Sequence, residues 1–258
     1  MAGVSRLQYT TDIRMIRGMC SGRVDLEFVF RAFANGMDGV FIGGCRLNEC
    51  NYITHGNYDA LNMVLLSKQI MAHIGLNPAR LRIDFMSSGD GILFTDVVDE
   101  FTRQVRELGP LGQSDGKDKD GIQASLEDVR KLIPYIKLEK REKLASRLEN
   151  EEEYDGLFSP DEIETLFSDV VSYYIDPGKC QACMICFRKC PVEAIIGGKN
   201  RIHVIDQDIC IKCGTCYDVC PPKFGAVREI SGEPVPALIA EEQRIIVRKR
   251  RKGVAVKK

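Results

Sequence analysis

The chain has no tryptophan and only three histidines, His55, His73 and His203. The first absence carries no functional information, but the second narrows the chemistry. With so few imidazoles, no Ser-His-Asp triad, paired acid/base or zinc-hydrolase arrangement stands out. Neither G-x-G-x-x-G nor the Walker pattern occurs. The nearest candidates for a phosphate loop, Met19-Cys20-Ser21-Gly22-Arg23 and Ser87-Ser88-Gly89-Asp90-Gly91, match neither. No stretch approaches the roughly 20 apolar residues of a membrane span. Met1 is followed by mixed polar residues rather than an apolar signal core, so a cytoplasmic chain with reduced thiols is expected. A formal net charge of −1 points to no partner. A length of 258 residues is long for one core and suggests about two domains.

What the chain does have is cysteine, eleven in all. Cys180, Cys183, Cys186 and Cys190-Pro191 spell C-x2-C-x2-C-x3-C-P, and Cys210, Cys213, Cys216 and Cys220-Pro221 spell it again. A cubane cluster needs four thiolates converging on a small volume. A tight loop with a thiol at every third position supplies three of them, and the fourth cysteine of each run serves the other cluster. The spacing therefore assigns Cys180, Cys183, Cys186 and Cys220 to one [4Fe-4S] cluster and Cys210, Cys213, Cys216 and Cys190 to a second. A zinc ribbon shares the C-x2-C element, but it uses two thiols per loop and has no need of the third cysteine or the proline.

Along the chain, residues 13 to 109 alternate apolar runs with amphipathic stretches: Ile13 to Met19 then Asp25 to Asn35, Gly39 to Gly43 then Tyr58 to Ile74, Leu81 to Phe85 then Ile92 to Leu108. This β-α-β-α-β-α order predicts an α/β domain over 1–109 with a small, flavodoxin-like parallel sheet. The helix over 58–74 sets Leu61, Leu65, Ile70 and Ile74 near one face, widened by Met63 and Leu66, as core. The polar Gly109-to-Gly121 run predicts an exposed linker over 110–123. A helical connector over 124–174 follows, starting near Ser125, bent or ended at Pro134, then charged from about 135 to 150. It restarts at Ser159-Pro160-Asp161-Glu162, with Ser at the cap, Pro first in the helix and Glu third. Residues 175–230 predict a bacterial ferredoxin-like α+β domain built as an internal repeat, since Ile175-Asp176 and Ile205-Asp206 precede their cysteine runs at one offset. A short helix is expected from Val192 to Ile195 and a strand from Ile202 to Ile205. Phe187 and Tyr217 hold equivalent places, either against the clusters or as ordinary core aromatics.

The remaining thiols, Cys20, Cys45 and Cys50, follow the first two predicted strands. Loops at the carboxyl ends of neighbouring parallel strands share a crevice, and the Ser87-to-Gly91 loop would wall it. Buried structural cysteines are the plain alternative, but these three lie in glycine-rich loops, which favours a metal site. Three thiols do not complete a four-thiolate [2Fe-2S] site. His55 is the nearest imidazole, and a Rieske-type centre would need two.

Ala2-Gly3-Val4-Ser5-Arg6-Leu7-Gln8-Tyr9, Met19-Cys20-Ser21-Gly22-Arg23-Val24, Gly43-Gly44-Cys45 with Cys50, and Gly56-Asn57-Tyr58 together resemble the delta subunit of methyl-viologen-reducing nickel-iron hydrogenase. That family also occurs as a domain fused to the heterodisulfide reductase A protein. The resemblance covers residues 1 to about 109. It implies a single [2Fe-2S] cluster passing electrons between a hydrogenase or formate dehydrogenase and a flavin-containing, heterodisulfide reductase A-like protein that bifurcates electrons. Residues 175–229 are similar to the two-cluster extension of diaphorase-type subunits. Family members carry a C-x2-C-type segment upstream of the Ala-Gly-Val-Ser-Arg stretch, some with selenocysteine. Met1 is therefore expected not to be the true start, with cluster ligands upstream. An in-frame UGA codon there would bear this out, and unrelated upstream sequence would overturn it. The family's His and Pro after the first loop cysteine are replaced by Arg46 and Leu47.

The basic tail over 231–258 includes Arg248-Lys249-Arg250-Arg251-Lys252. Without stacking aromatics or a nucleic-acid module nearby, it reads as a solvated tail and not a nucleic-acid site. The favoured function is an electron-transfer subunit with three clusters in a line and no catalytic residues of its own. The rival is a free-standing iron-sulfur oxidoreductase whose α/β domain binds FMN or a small substrate.

Overall fold

Asp25 accepts a hydrogen bond from the Glu27 N–H at 3.0 Å and starts helix α1 (Leu26–Ala34), whose Leu26, Val29, Phe30 and Phe33 recur at helical spacing and are buried. The computed structural model describes residues 6–50, 55–148 and 150–245. Ala2 to Ser5 and the run from Arg248 to Lys252 lie outside them. Contacts divide the chain into two units, Met1–Phe167 and Ser168–Lys258.

In the first unit β1 (Val40–Gly44) leads through α2 (Gly56–Ile74) to β2 (Leu81–Phe85), and the two strands pair in parallel with Val40 opposite Leu81 and Gly44 opposite Phe85. Helix α3 (Gly91–Leu108) follows. This sheet has two strands among the described residues, not three. The expected strand over Ile13 to Met19 does not form: Ile16 is 93% and Met19 82% exposed, so the apolar side chains that suggested a strand find no sheet to pack on. Helix α2 is the centre of the core. Met63, Val64, Leu66, Ile70, Met71 and Ile74 are buried along it, while Leu61 and Leu65 are only partly covered.

The segment expected as an exposed linker is built into this unit. Leu111 is buried, and Asp115 pairs with Arg80 at 3.0 Å, both side chains being 0% exposed. Arg80 also donates to the carbonyls of Asp38 (3.1 Å) and Gly109 (2.8 Å). Burial alone would push the Asp115 carboxyl up. The Arg80 guanidinium and the N–H groups of Asn77 and Gly112 more than offset that and hold it below the usual carboxylate range. A largely polar run can thus be ordered through one buried leucine, one charge pair and the backbone groups around it.

Helix α4 (Lys119–Glu139) starts six residues before Ser125, at an Asp118 cap that accepts the Gly121 N–H at 3.0 Å. It passes through Pro134 without ending. Proline removes one N–H, but Val129, Ile133 and Ile136 remain buried on one face across it, in the core they share with α1 and α2. The short helix α5 (Arg141–Leu144) follows, so the charged stretch to 150 is not one helix. Helix α6 (Pro160–Ser168) begins as expected, with the Ser159 hydroxyl accepting the Glu162 N–H at 3.2 Å.

The second unit pairs strands crosswise. β3 (Ser172–Ile175) runs antiparallel to β6 (Val227–Ile230), and β4 (Ile195–Gly198) antiparallel to β5 (Arg201–Ile205). Helices α7 (Ile185–Lys189) and α8 (Thr215–Asp218) sit inside the two cysteine runs. The helix expected from Val192 to Ile195 gives way to a turn and β4, because Ile195 is needed to pair with Ile205. The whole molecule is mixed α/β with a small parallel sheet. No helix among the described residues is long and apolar enough to cross a membrane.

Candidate metal centres

The two halves of the second unit are built alike. Asp176 and Asp206 close turns by accepting the N–H of Gly178 (2.8 Å) and Asp208 (3.0 Å) on their carboxylates. Their carbonyls accept the N–H of Cys180 and of Cys210, both at 3.0 Å. Their own N–H groups reach across: Asp176 donates to the Ala226 carbonyl at 2.7 Å and Asp206 to that of Ala194 at 2.8 Å. Each half is stitched to the tail of the other, which carries the last cysteine of each run away from its own loop. Cys180, Cys183, Cys186 and Cys220 accordingly line one cavity, with Ile175 and His203 in its wall. Cys210 feels the charges of Cys213 and Cys190, and Cys216 feels Cys210, Cys213 and also Cys186.

The loop backbones repeat as well. Ala182 (φ 49°) and Met184 (φ 67°) are left-handed, as are Lys212 (φ 57°) and Gly214 (φ 75°) at the same offsets. Such kinks turn successive N–H groups toward one concave side, the geometry that serves anionic clusters. The Lys212 N–H donates to Cys210 Sγ at 3.4 Å. Burial and the neighbouring thiols push Cys186 and Cys216 up to about 12. Thiolates so crowded are unfavourable alone, and a cationic multi-iron core supplies the charge they lack. No three His, Cys, Asp or Glu side chains among the described residues are grouped to hold a single metal ion.

The first unit brings Cys20, Cys45 and Cys50 together. Burial raises the Cys45 thiol, and so do a hydrogen bond with Cys50 and the charges of Cys50 and Cys20. Cys20 arrives on an irregular segment ahead of the turn Ser21–Arg23, not at the end of a strand. A glycine contact sets its place. A Cβ on Gly22 would fall 2.5 Å from Gly56 Cα, and one on Gly56 would fall 2.7 Å from Cys20 Sγ. Arg46 binds Asp90 at 2.6 Å, tying the 87–91 loop to the cysteine loop. Asn57 donates to the Arg46 carbonyl at 2.7 Å, and the Tyr58 hydroxyl to Asn48 at 2.9 Å. Among the described residues the buried Ser21 Oγ and His55 Nδ1 have no hydrogen-bond partner. Grouped thiols beside unpartnered polar atoms fit a metal-sulfur group.

The comparisons with known proteins match this division. A family model described as methyl-viologen-reducing hydrogenase, delta subunit, matches residues 1–109, and one for a 4Fe-4S dicluster domain matches 179–224. The iron-sulfur D subunit of the F420-non-reducing hydrogenase of Archaeoglobus profundus is 41% identical over 111 residues, 43% of this chain and 80% of that protein. The chain belongs to the methyl-viologen-reducing hydrogenase delta-subunit family. The iron-sulfur D subunit of the vhu F420-non-reducing hydrogenase of Methanococcus maripaludis is 43% identical over 110 residues, covering 43% of this chain and 81% of that one. The A subunit of the ferredoxin/F420H2-dependent CoB-CoM heterodisulfide reductase of Methanosarcina acetivorans is 46% identical over 112 residues, 43% of this chain but 14% of that longer protein. In the present family member the delta-subunit region is joined to an iron-sulfur dicluster region.

Two features of these sites are absent from the sequence expectations. Arg147 lies 4.9 Å over the Tyr58 ring, donates to Asn48 Oδ1 at 2.8 Å and meets His55 Nε2 at 3.0 Å, so the α4–α6 region braces the cysteine loop. No local pattern marks such a contact. His203 was readable: it stands seven residues before Cys210, as Tyr173 stands before Cys180. Burial holds its imidazole below the ordinary pKa.

Proposed function

We propose that this chain is an iron-sulfur electron-transfer subunit that carries two [4Fe-4S] clusters and one [2Fe-2S] cluster. It relays electrons between a hydrogenase-, formate dehydrogenase- or diaphorase-type partner and a heterodisulfide reductase A-like flavoprotein. The observation that carries the reading is the cavity lined by Cys180, Cys183, Cys186 and Cys220, in which a cysteine of the second run joins three of the first. The grouping of Cys190 with Cys210, Cys213 and Cys216 supports the second set. Cys20, Cys45 and Cys50 supply three ligands of the [2Fe-2S] site, and a fourth comes from elsewhere. The chemistry that bound clusters supply is one-electron transfer. The chain's own residues hold them, shield them and shape their potentials.

Two relatives named as hydrogenase subunits and one named as a heterodisulfide reductase component support the choice of partners. The test is iron content and EPR of the reduced chain prepared without oxygen. About eight irons with [4Fe-4S] signals alone would support the dicluster assignment and leave the first unit without its cluster, whereas about ten with an added [2Fe-2S] signal would support all three. Fewer than about four irons would overturn the reading.

A further inference from the structure

The rings around the two cysteine groups pair crosswise. Phe187 stacks on His203 with centroids 6.0 Å apart, and Tyr217 meets Tyr173 at 6.2 Å. Phe187 and Tyr217 each follow the third cysteine of a run, and Tyr173 and His203 each precede a run by seven residues, so the pairs are equivalent by the internal repeat. The polar atoms they carry are not equivalent. The Tyr173 hydroxyl turns toward Glu229 Oε1, 3.5 Å away. His203 is 0% exposed and points both nitrogens at sulfur, Nδ1 at Cys186 Sγ (3.5 Å) and Nε2 at Met184 Sδ (3.3 Å). A thioether is a weak acceptor and a metal-bound thiolate a strong one, so a proton on Nδ1 meets the better acceptor, Cys186.

The seat for this ring is built. A Cβ on Gly197 would lie 2.1 Å from His203 Cδ2, and the β4–β5 ladder shifts register between Ile196 and Gly198. Glycine at an irregular strand position is the usual mark of such a close approach. The other half uses a different side chain: Thr215 Oγ1 lies 3.3 Å from Cys213 Sγ, where the first half has Ile185.

We propose that His203 donates a hydrogen bond to the Cys186 thiolate and raises the reduction potential of the cluster held by Cys180, Cys183, Cys186 and Cys220, making the two halves unequal electron acceptors. The proposal rests on the ligand assignment above. Reduction adds electron density to the cluster sulfurs, so a donor aimed at a ligand sulfur stabilises the reduced form more than the oxidised one.

The test is a redox titration of the full chain, followed by EPR, on the wild type and on His203→Phe, His203→Gln and Thr215→Val, each first assayed for iron. His203→Phe is expected to make one of the two [4Fe-4S] steps at least tenfold harder to reduce, about 59 mV for one electron, and to leave the other in place. His203→Gln, which keeps a donor N–H, restores much of the shift, and Thr215→Val moves the other step. If His203→Phe loses its iron, Gly197→Ala decides, since it displaces the ring while keeping the histidine. The same step should then fall. Unshifted steps in a fully loaded His203→Phe or Gly197→Ala protein overturn the role of His203. A wild type without [4Fe-4S] signals instead overturns the ligand assignment, and this proposal with it.

Discussion

The two cysteine-rich regions assemble their thiols in opposite ways. In the second unit each loop carries three thiols within seven residues, and its shape is written locally: an Asp-closed turn, then left-handed residues at Ala182 and Met184 or at Lys212 and Gly214. Only the fourth thiol, Cys220 or Cys190, depends on the crosswise strand pairing. In the first unit Cys20, Cys45 and Cys50 come from separate segments. They meet only because Gly22 packs on Gly56, β1 pairs with β2, and Arg147 from the distant segment after α5 holds the cysteine loop. A site encoded locally tolerates damage elsewhere in the chain, whereas one assembled by tertiary contacts is only as stable as the unit around it.

The largest expected effect separates the halves of the local site. Cys220→Ser removes a ligand from the first group and Cys190→Ser from the second, so each should lose about four of the eight irons that [4Fe-4S] pairs carry, and a different EPR signal should vanish in each. If both variants lose the same signal, the crosswise assignment is wrong. Next in size is Asp115→Ala, which strands the Arg80 guanidinium in a site that is 0% exposed. Breaking such a pair costs about 3–5 kcal/mol, to be read as the loss of stability of the first unit in a denaturant titration while the [4Fe-4S] spectrum is kept.

The same pair gives a pH signature. The Asp115 carboxyl is held below its unfolded value, so its contribution is present at neutral pH and fades as pH falls through its lowered folded pKa. The stability gap between the wild type and Asp115→Asn should therefore be full above about pH 5 and shrink on acidification below about 4. A gap that stays constant down to about pH 2 would show that the effect is packing and not charge.

How much was legible follows the same line between local and assembled structure. The two C-x2-C-x2-C-x3-C-P runs could be read as a dicluster module because their spacing is local, and the dicluster family model falls on them. The order β1-α2-β2-α3 and the start of α6 at Pro160 could also be read, since periodicity and capping are local. Apart from the Asp118 cap that starts α4 early, the failures are tertiary. Ile13 to Met19 has a strand's composition but no sheet partner, and the polar 109–121 run hides the Asp115 carboxylate, held by Arg80 and the N–H groups of Asn77 and Gly112. Pro134 sits inside α4 because burial on both sides of it outweighs one lost hydrogen bond. His203 lies between these cases: its offset was visible, but its contact with Cys186 needed Gly197 to leave room.

A smaller lesion tests the assembled site at its tightest point. Gly56→Ala drives a methyl group to 2.7 Å from Cys20 Sγ, with Gly22 backbone on the far side. Overpacking of this kind costs about 1–3 kcal/mol, and here it should appear as a displaced Cys20. The expected readout is faster alkylation of Cys20 in the first unit with unchanged iron in the second. Equal reactivity in both proteins would mean that the thiols are held by something other than this glycine contact.

The smallest effect is expected at Arg147, and it isolates the brace from the fold. Its side chain is exposed, so the stack on Tyr58 is worth only about 0.5–1 kcal/mol and the hydrogen bond to Asn48 about as much again. Arg147→Ala should therefore lower overall stability by about 1 kcal/mol while raising amide exchange mainly around Asn48 and Tyr58. Arg147→Lys keeps the charge but cannot reach Asn48 and His55 with a planar fork, so it should recover stability more fully than local protection. If the two variants lose protection evenly across α1, α2 and α4, Arg147 is an ordinary surface residue, and the cysteine loop draws its order from Asn57 and the Arg46–Asp90 pair alone.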